Sequence, residues 1–211
     1  MSGRPPRPSG ALRAEIASAY DARAGEYVGL FGSIELLSVR DHVTIDRWRD
    51  QTSGWLLDAG SGPGHWSDVL AANGRRDVLG LDASPRFVES AGRRFRTPRF
   101  AVGDLAALPL AAGSVGGILA WYSIIHTPPS DVPAMLAEFA RVLSPGGSLL
   151  LGHFHGEAGV AFDHAVTTAY YWTPEALGDL LAPLGFTVER SETRQDGGAR
   201  RRHAELVARL G

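Results

Sequence analysis

Residues 56–66 read LLDAGSGPGHW, an apolar run followed by an acid at Asp58 and glycines at positions 60, 62 and 64. Glycine is chosen where the backbone must take positive φ or where a ligand approaches the main chain closely, and each glycine costs conformational entropy on folding. Three of them in five positions point to a bound ligand. Outward from this turn the chain alternates. WLLDA predicts a strand, HWSDVLAANG a helix, DVLGLD a strand, PRFVESAGRRFR a helix and RFAVGD a strand, with connections of a few residues. VGGILAWYS then predicts a strand, DVPAMLAEFARVL a helix closed by SPGG, GSLLLGHF a strand, and TPEALGDLLAPLG a helix with Thr173 as its N-cap.

Such alternation implies a mostly parallel sheet covered by helices on both faces. The ending differs, because FTVERSET and RRHAELVARL flank QDGGA with no helix between them, the pattern of an antiparallel hairpin. The expected fold is therefore α/β, a Rossmann-like three-layer sandwich around a mostly parallel seven-stranded sheet with a C-terminal antiparallel hairpin. Residues 1–10, rich in Pro, Gly and Arg, read as disordered, and residues 11–52 as a cap of two or three helices interrupted by Gly25, Gly29 and Gly32. Residues 53–211 form the core of a single domain.

A chain of 211 residues with 44% hydrophobic content is ordinary for one globular domain. The net charge of −2 supplies no global field to attract nucleic acid or an anionic membrane. With no Cys, disulfides, thiolate metal sites and cysteine nucleophiles are excluded. All 21 basic residues are Arg, so lysine Schiff-base chemistry is excluded as well. No apolar stretch has the length of a membrane span and the N-terminus lacks the apolar segment of a secretory signal, so a cytoplasmic location is expected.

In an open parallel sheet, ligands bind beyond the carboxyl ends of the strands at the topological switch point, which is where the glycine turn falls. Asp58, Asp82 and Asp104 stand at or just after the ends of three successive predicted strands and form an arc around it. Asp82 suits a pair of ribose hydroxyls, or else serves as N-cap of the helix starting near Pro85, a task open to Ser84 also. Asp104 suits an adenine amine, or else forms a turn. Dinucleotide enzymes space their glycines G-x-G-x-x-G, whereas Gly60, Gly62 and Gly64 follow G-x-G-x-G behind an acid that a pyrophosphate would avoid. A cationic ligand end would welcome that acid.

Taken together, these stretches resemble the class I S-adenosylmethionine-dependent methyltransferases over residues 12–209. DAGSGPG is similar to that family's first motif, LGLDAS to its second, AVGDLAALPL to its third, and SPGGSLLL to the turn into its fifth strand. YDARAGEY, LAWYSIIH and AYYWTPEALGDLLAPLGF resemble the small type-11, quinone-methyltransferase-like enzymes. The resemblance implies S-adenosylmethionine as cofactor. It implies that Asp58, Gly60, Ser61, Gly62 and Gly64 hold the methionine end, Asp82 with Ala83 the ribose, and Asp104 with the Leu105 amide the adenine. Tyr20, Arg23 and Tyr27 would close over the methionine carboxylate, and Trp121 would line the same site. It further implies a small-molecule acceptor methylated on O or N in secondary or cofactor metabolism, with a homodimer left open.

Methyl transfer asks of the protein an in-line approach, exclusion of water and a destination for a proton. His126 is the leading base, with Tyr122 beside it at the end of the fourth strand. His153 and His155 alternate on GHFHG and share one side of the fifth strand, and His164 lies in a loop placed to fold over the site. Tyr170, Tyr171 and Trp172 add an aromatic wall suited to a planar acceptor, core packing being the competing role for each. No helical H-x-x-x-H supports a metal site. HTPPSDV lacks the amide and the stacking aromatic that base-methylating enzymes carry at N-P-P-Y, which argues against nucleic acid. Two alternatives compete: a nicotinamide-dependent oxidoreductase on the same sheet, and a cofactor-binding protein without turnover.

Overall fold

The computed structural model describes residues 38–195 and 200–211, together with Ser18. The N-terminal decapeptide, the helices expected before residue 38, and Tyr20, Arg23 and Tyr27 lie outside the described residues. The first described helix is α1 (Val39–Gln51). Strand–helix alternation follows as β1 (Leu56–Ala59), α2 (His65–Ala71), β2 (Val78–Asp82), α3 (Pro85–Arg94), β3 (Arg99–Val102), β4 (Val115–Trp121), α4 (Val132–Val142) and β5 (Leu143–His155). A short ribbon, β6 (Ala161–Asp163) and β7 (Thr168–Tyr170), precedes α5 (Pro174–Leu181), and β8 (Phe186–Arg194) and β9 (Arg202–Leu210) close the chain.

Seven strands make one sheet in the order β3-β2-β1-β4-β5-β9-β8. The first five run parallel, while β9 is antiparallel to β5 and β8 antiparallel to β9. The expected sandwich and terminal hairpin are therefore present. Chain order reverses between β1 and β4, so helices leave these two strands in opposite directions and a crevice opens beyond their carboxyl ends.

Strand alternation sorts the core into two layers. Leu57, Ile118, Ala120, Leu149 and Leu151 face α4 and α5, where Leu136, Phe139 and Leu177 meet them. Leu56, Leu119, Trp121 and Leu150 face the opposite layer, covered by Ile45 and Trp48 of α1 and Leu70 of α2. Each such aliphatic side chain contributes about 1.5–3 kcal/mol when removed from water. Helix starts follow local chemistry: Ser84 Oγ accepts from the Phe87 amide and Thr173 Oγ1 from the Ala176 amide, each followed by Pro at N1.

SPGG, expected as a helix stop, runs within β5 instead; Leu143 already pairs with Val115 before the register shifts between Val115 and Gly117. Ribbon β6–β7 was not foreseen, because three-residue strands carry no readable period. It is fastened over the strand ends by the Tyr170 amide, which donates to the Ile125 carbonyl at 2.8 Å, and the Trp172 amide, which donates to the Phe154 carbonyl at 3.0 Å. Among the described residues no helix is long and apolar enough to cross a membrane.

Candidate functional site

The glycine turn lies at the switch point and is held by its neighbours. The Gly60 and Ser61 amides donate to the Leu81 carbonyl at 2.8 and 3.1 Å, binding the turn to the end of β2. Gly60 has φ +81°, and a Cβ on it would stand 2.3 Å from that of Ser123, just past β4. Gly64 has φ +89° and a Cβ there would strike Ala91 and Phe100. Gly62 differs: its φ is +51°, yet a Cβ would meet nothing within 4 Å. Two of the glycines thus serve packing, and the middle one borders open space. Gly60→Ala combines overpacking with a disfavoured backbone, and should destabilise the fold by about 3 kcal/mol. Thermal unfolding of this variant and of Gly60→Ala/Ser123→Gly checks the cause, since the second change should restore part of the loss.

Asp82, at the end of β2, accepts from the Gly62 amide through Oδ2 and from the Ser84 amide through Oδ1, each at 2.8 Å. The capping of α3 falls to Ser84, which frees Asp82 from the competing role considered above. Ala83 beside it is exposed. Asp104 Oδ1 accepts from the Ala106 amide at 2.9 Å and shapes the turn after β3, with Leu105 packed on the core next to it.

Asp58 is fully enclosed on the α2 side of β1. Its Oδ2 accepts from Ser67 Oγ at 2.6 Å, and burial pushes its carboxyl up to about 7, with the Asp82 charge adding to the rise and Ser67 opposing it. His65, next to the turn, is pushed down to about 4 by burial and by the charges of Arg94 and His42. The hydroxyls of Ser61 and Ser123 and the Nδ1 of His65 are buried with no hydrogen-bond partner among the described residues. Buried polar groups are ordinarily satisfied, so orphaned hydroxyls on both sides of the turn mark a place where a polar ligand belongs.

A second group of side chains gathers beyond β4 and β5. Trp121 is buried against Trp66, its Nε1 donating to Asp41 Oδ2 at 3.4 Å. Tyr122, Phe154, Phe162, His164 and His203 form a continuous set of ring contacts with centroids 5.1–6.3 Å apart. His126 lies 5.1 Å ring to ring from His164, and its Nδ1 donates to the Thr168 carbonyl at 2.8 Å. A carbonyl only accepts, so the proton of the neutral ring sits on Nδ1 and its lone pair on Nε2. Burial lowers the pKa of His126, and holds both His164 and His153 at about 4. These rings are neutral and weakly basic near neutral pH.

His153 is completely buried and, with His155, lies on the α5 side of β5, turned from the ring cluster that Phe154 joins. Tyr171 stacks on Phe162 at 4.1 Å, with Arg201 over the Phe162 ring at 4.5 Å. Trp172 packs in the core beside Leu177, and Tyr170 is half-buried on the ribbon. Sequence reading thus brought Tyr122, His126, His164 and Tyr171 to one end of the sheet but missed Phe154, Phe162, Arg201 and His203. Phe154 could have been found, since the alternation that pairs His153 with His155 sends it to the other face. His203, far along the chain, had no local signal. Among the described residues no group of three or more His, Asp or Glu could hold a metal ion.

The residues fit a nucleoside with a charged amino-acid end. Asp82 presents a carboxylate at the end of β2, a group of the acceptor type that ribose hydroxyls need. Gly62 leaves the main chain approachable, and Ser61 and Ser123 offer the orphaned hydroxyls. The fold is Rossmann-like, and the site offers the carboxylate, backbone and hydroxyl groups that a nucleoside would use. Residues 56–147 match the family model described as a methyltransferase domain. The likeness to a methyltransferase domain thus falls on the stretch that holds the glycine turn, Asp58, Asp82 and Asp104. The chain is 36% identical over 95 residues to the malonyl-[acyl-carrier protein] O-methyltransferase of Serratia marcescens, covering 45% of this chain and 36% of that one. The chain spans less than half the length of the first curated relatives it matches.

Among solved structures, the 1,6-didemethyltoxoflavin-N1-methyltransferase of Burkholderia thailandensis superposes with a TM-score of 0.79 at 20% identity, over 99% of this chain and 93% of that one. The [4+2]-cyclase SpnF superposes with a TM-score of 0.78 at 20% identity, over 100% and 99%. At such identities the likeness concerns the fold, and that one fold carries two reaction names shows why the site must decide the chemistry. The methyltransferase-domain match over residues 56–147 counts against the nicotinamide reading.

Proposed function

We propose that the chain transfers a methyl group from S-adenosylmethionine to an oxygen or nitrogen of a small planar acceptor. When bound, the cofactor supplies an electrophilic methyl on a sulfonium. The observation that carries the reading is the cradle at the switch point, where Asp82 orients Gly62 and Ser84 while Ser61 and Ser123 present orphaned hydroxyls. In this reading Asp82 and Ala83 bind the ribose, and Asp104 with the Leu105 amide the adenine. Asp58 and the turn hold the cationic end, and Tyr20, Arg23 and Tyr27 cover it. Trp121 walls the site. The ring cluster of Tyr122, Phe154, Phe162 and Tyr171 gives a planar acceptor faces to stack on and excludes water from the transfer. His126 ties ribbon β6–β7 to the end of β4 and offers Nε2 to an acceptor proton.

Relatives named for transfer to oxygen and to nitrogen support both acceptor atoms. The cyclase among the structural neighbours favours one second reading, a protein that keeps the cofactor fold without methyl transfer. Calorimetric titration with S-adenosylmethionine, S-adenosylhomocysteine and NADH tests the cofactor, with binding of the first two and none of NADH expected. Release of S-adenosylhomocysteine on addition of phenols or nitrogen heterocycles tests turnover, and binding without such release would favour the second reading.

A further inference from the structure

Tyr122 occupies an unusual backbone. Of the three non-glycine residues with positive φ among the described residues, Ala72 and Asn73 end a helix, where that conformation is common; Tyr122, at φ +56°, follows the last residue of β4. Alternation along β4 sends Ala120 to the α4 layer and Trp121 to the α1 layer, so a regular strand would turn Tyr122 back toward α4. The left-handed turn cancels that alternation, and Tyr122 packs with the Trp121 layer instead. Backbone strain of this kind persists where the surroundings enforce it and clusters at working sites. Here it brings the phenol to His203: Tyr122 Oη lies 2.6 Å from Nδ1 of that residue, on β9.

His203 is well placed to receive a proton. It pairs across the sheet with Phe154 of β5 and with Arg194 of β8, and Glu205 follows two residues on, on the same face. Asp41 of α1 forms an ion pair with Arg194 and interacts electrostatically with His203, and Glu205 accepts from Arg194 at 3.2 Å and from Thr44 at 3.1 Å. Glu205 is shared by Arg194 and by Arg190, which lies 4.0 Å away, and Asp41 is the acid that interacts with the imidazole. His164 approaches Phe154 from the ribbon, held neutral by burial.

We propose that Tyr122 and His203 form a proton relay for the acceptor, with Tyr122 as the group that touches it and His203 as the positioning residue and proton store. The inference rests on the methyl-transfer reading. As the acceptor oxygen or nitrogen bonds to the methyl carbon, the carbon–sulfur bond breaks and its electron pair stays on sulfur. The acceptor proton passes to Tyr122 Oη while the phenol proton passes to His203 Nδ1, leaving an imidazolium that returns the proton to solvent after product release. The acceptors served are those with an ionisable O–H or N–H, such as phenols and nitrogen heterocycles. In this relay His126 serves to tie ribbon β6–β7 through the Thr168 carbonyl, and the proton-accepting role offered to its Nε2 above passes to Tyr122 and His203.

The test uses the full chain, Tyr122→Phe and His203→Asn, the asparagine oxygen taking the place of Nδ1 without accepting a proton. S-adenosylhomocysteine titration first establishes that each variant folds and binds. With an acceptor found by methyl release from a panel of phenols and nitrogen heterocycles, wild-type kcat should fall as pH drops and His203 becomes protonated. His203→Asn should lose about a hundredfold in kcat together with that acid limb, at unchanged KM and unchanged S-adenosylhomocysteine affinity. Tyr122→Phe should lose as much. A His203→Asn enzyme with wild-type kcat and pH profile overturns the relay, as does a loss confined to S-adenosylhomocysteine affinity. Variants that turn over the acceptor as the wild type does overturn the relay alone, whereas wild-type protein that turns over no acceptor in the panel, or fails to bind S-adenosylhomocysteine, overturns the methyl-transfer reading beneath.

Discussion

Asp82→Ala is expected to weaken S-adenosylhomocysteine binding about a thousandfold while leaving a folded protein. Hydrogen bonds to a charged group are worth about 1.5–3 kcal/mol each, so two ribose hydroxyls losing their carboxylate cost about 4 kcal/mol, which is about a thousandfold in Kd. The variant also deprives the Gly62 and Ser84 amides of their acceptor, so the turn loses the contact that fixes its middle glycine. Asp82→Asn separates the two effects. Its amide oxygen can still accept from one backbone donor, and a loss nearer tenfold is expected. Calorimetric titration of both variants, with circular dichroism as the folding control, checks the ranking. Near-wild-type affinity in Asp82→Ala would place the ribose elsewhere.

Asp58→Asn is expected to make the ligand-free protein more resistant to heat above neutral pH and a poorer binder of S-adenosylmethionine. The wild-type carboxyl, raised from 3.8 to about 7 chiefly by burial, favours its protonated form in the folded state. Its contribution to stability is therefore fully present below pH 3.8 and is lost as pH rises through about 7, up to about 4 kcal/mol. Asparagine does not ionise, so the melting-temperature gap between variant and wild type should open across that window and level off above it. The buried anion that is a burden without ligand becomes the counter-charge of a cationic ligand end, so binding should release a proton near neutral pH. Melting curves from pH 5 to pH 9, and calorimetry in two buffers of different ionisation enthalpy, measure both effects. A gap that stays constant with pH would show that Asp58 is ionised in the free protein.

The strand–helix rhythm from Trp55 onward, the glycine turn, the hairpin after Gly185 and the acids at 58, 82 and 104 were all legible, because period, capping and turn chemistry are local properties. Asp82 could be given its place at the end of β2 for the same reason, and Ser84 could be recognised as an alternative cap. The purpose of each glycine was not legible. Gly60 and Gly64 answer to Ser123 and Ala91, residues remote in the chain, and of the three in the turn Gly62 borders open space.

The acceptor end shows the same division. LAWYSIIH announces aromatic and basic groups at the end of a strand, yet alternation by itself sends Tyr122 to the wrong layer, and nothing local ties it to a histidine 81 residues away. Likewise His153 and His155 share a strand side with each other but face away from the rings around Phe154, and Trp172 belongs to the core. By itself the sequence determined the order of elements, the sheet type and the motif residues at the strand ends, since these depend on neighbours within a few positions. Which long-range partners each of them meets, the burial that lifts Asp58, and the left-handed turn that aims Tyr122 at His203 were decided only when β9 paired with β5 and α1 closed over them. Burial and hydrogen-bond partnership are properties of the assembled layers.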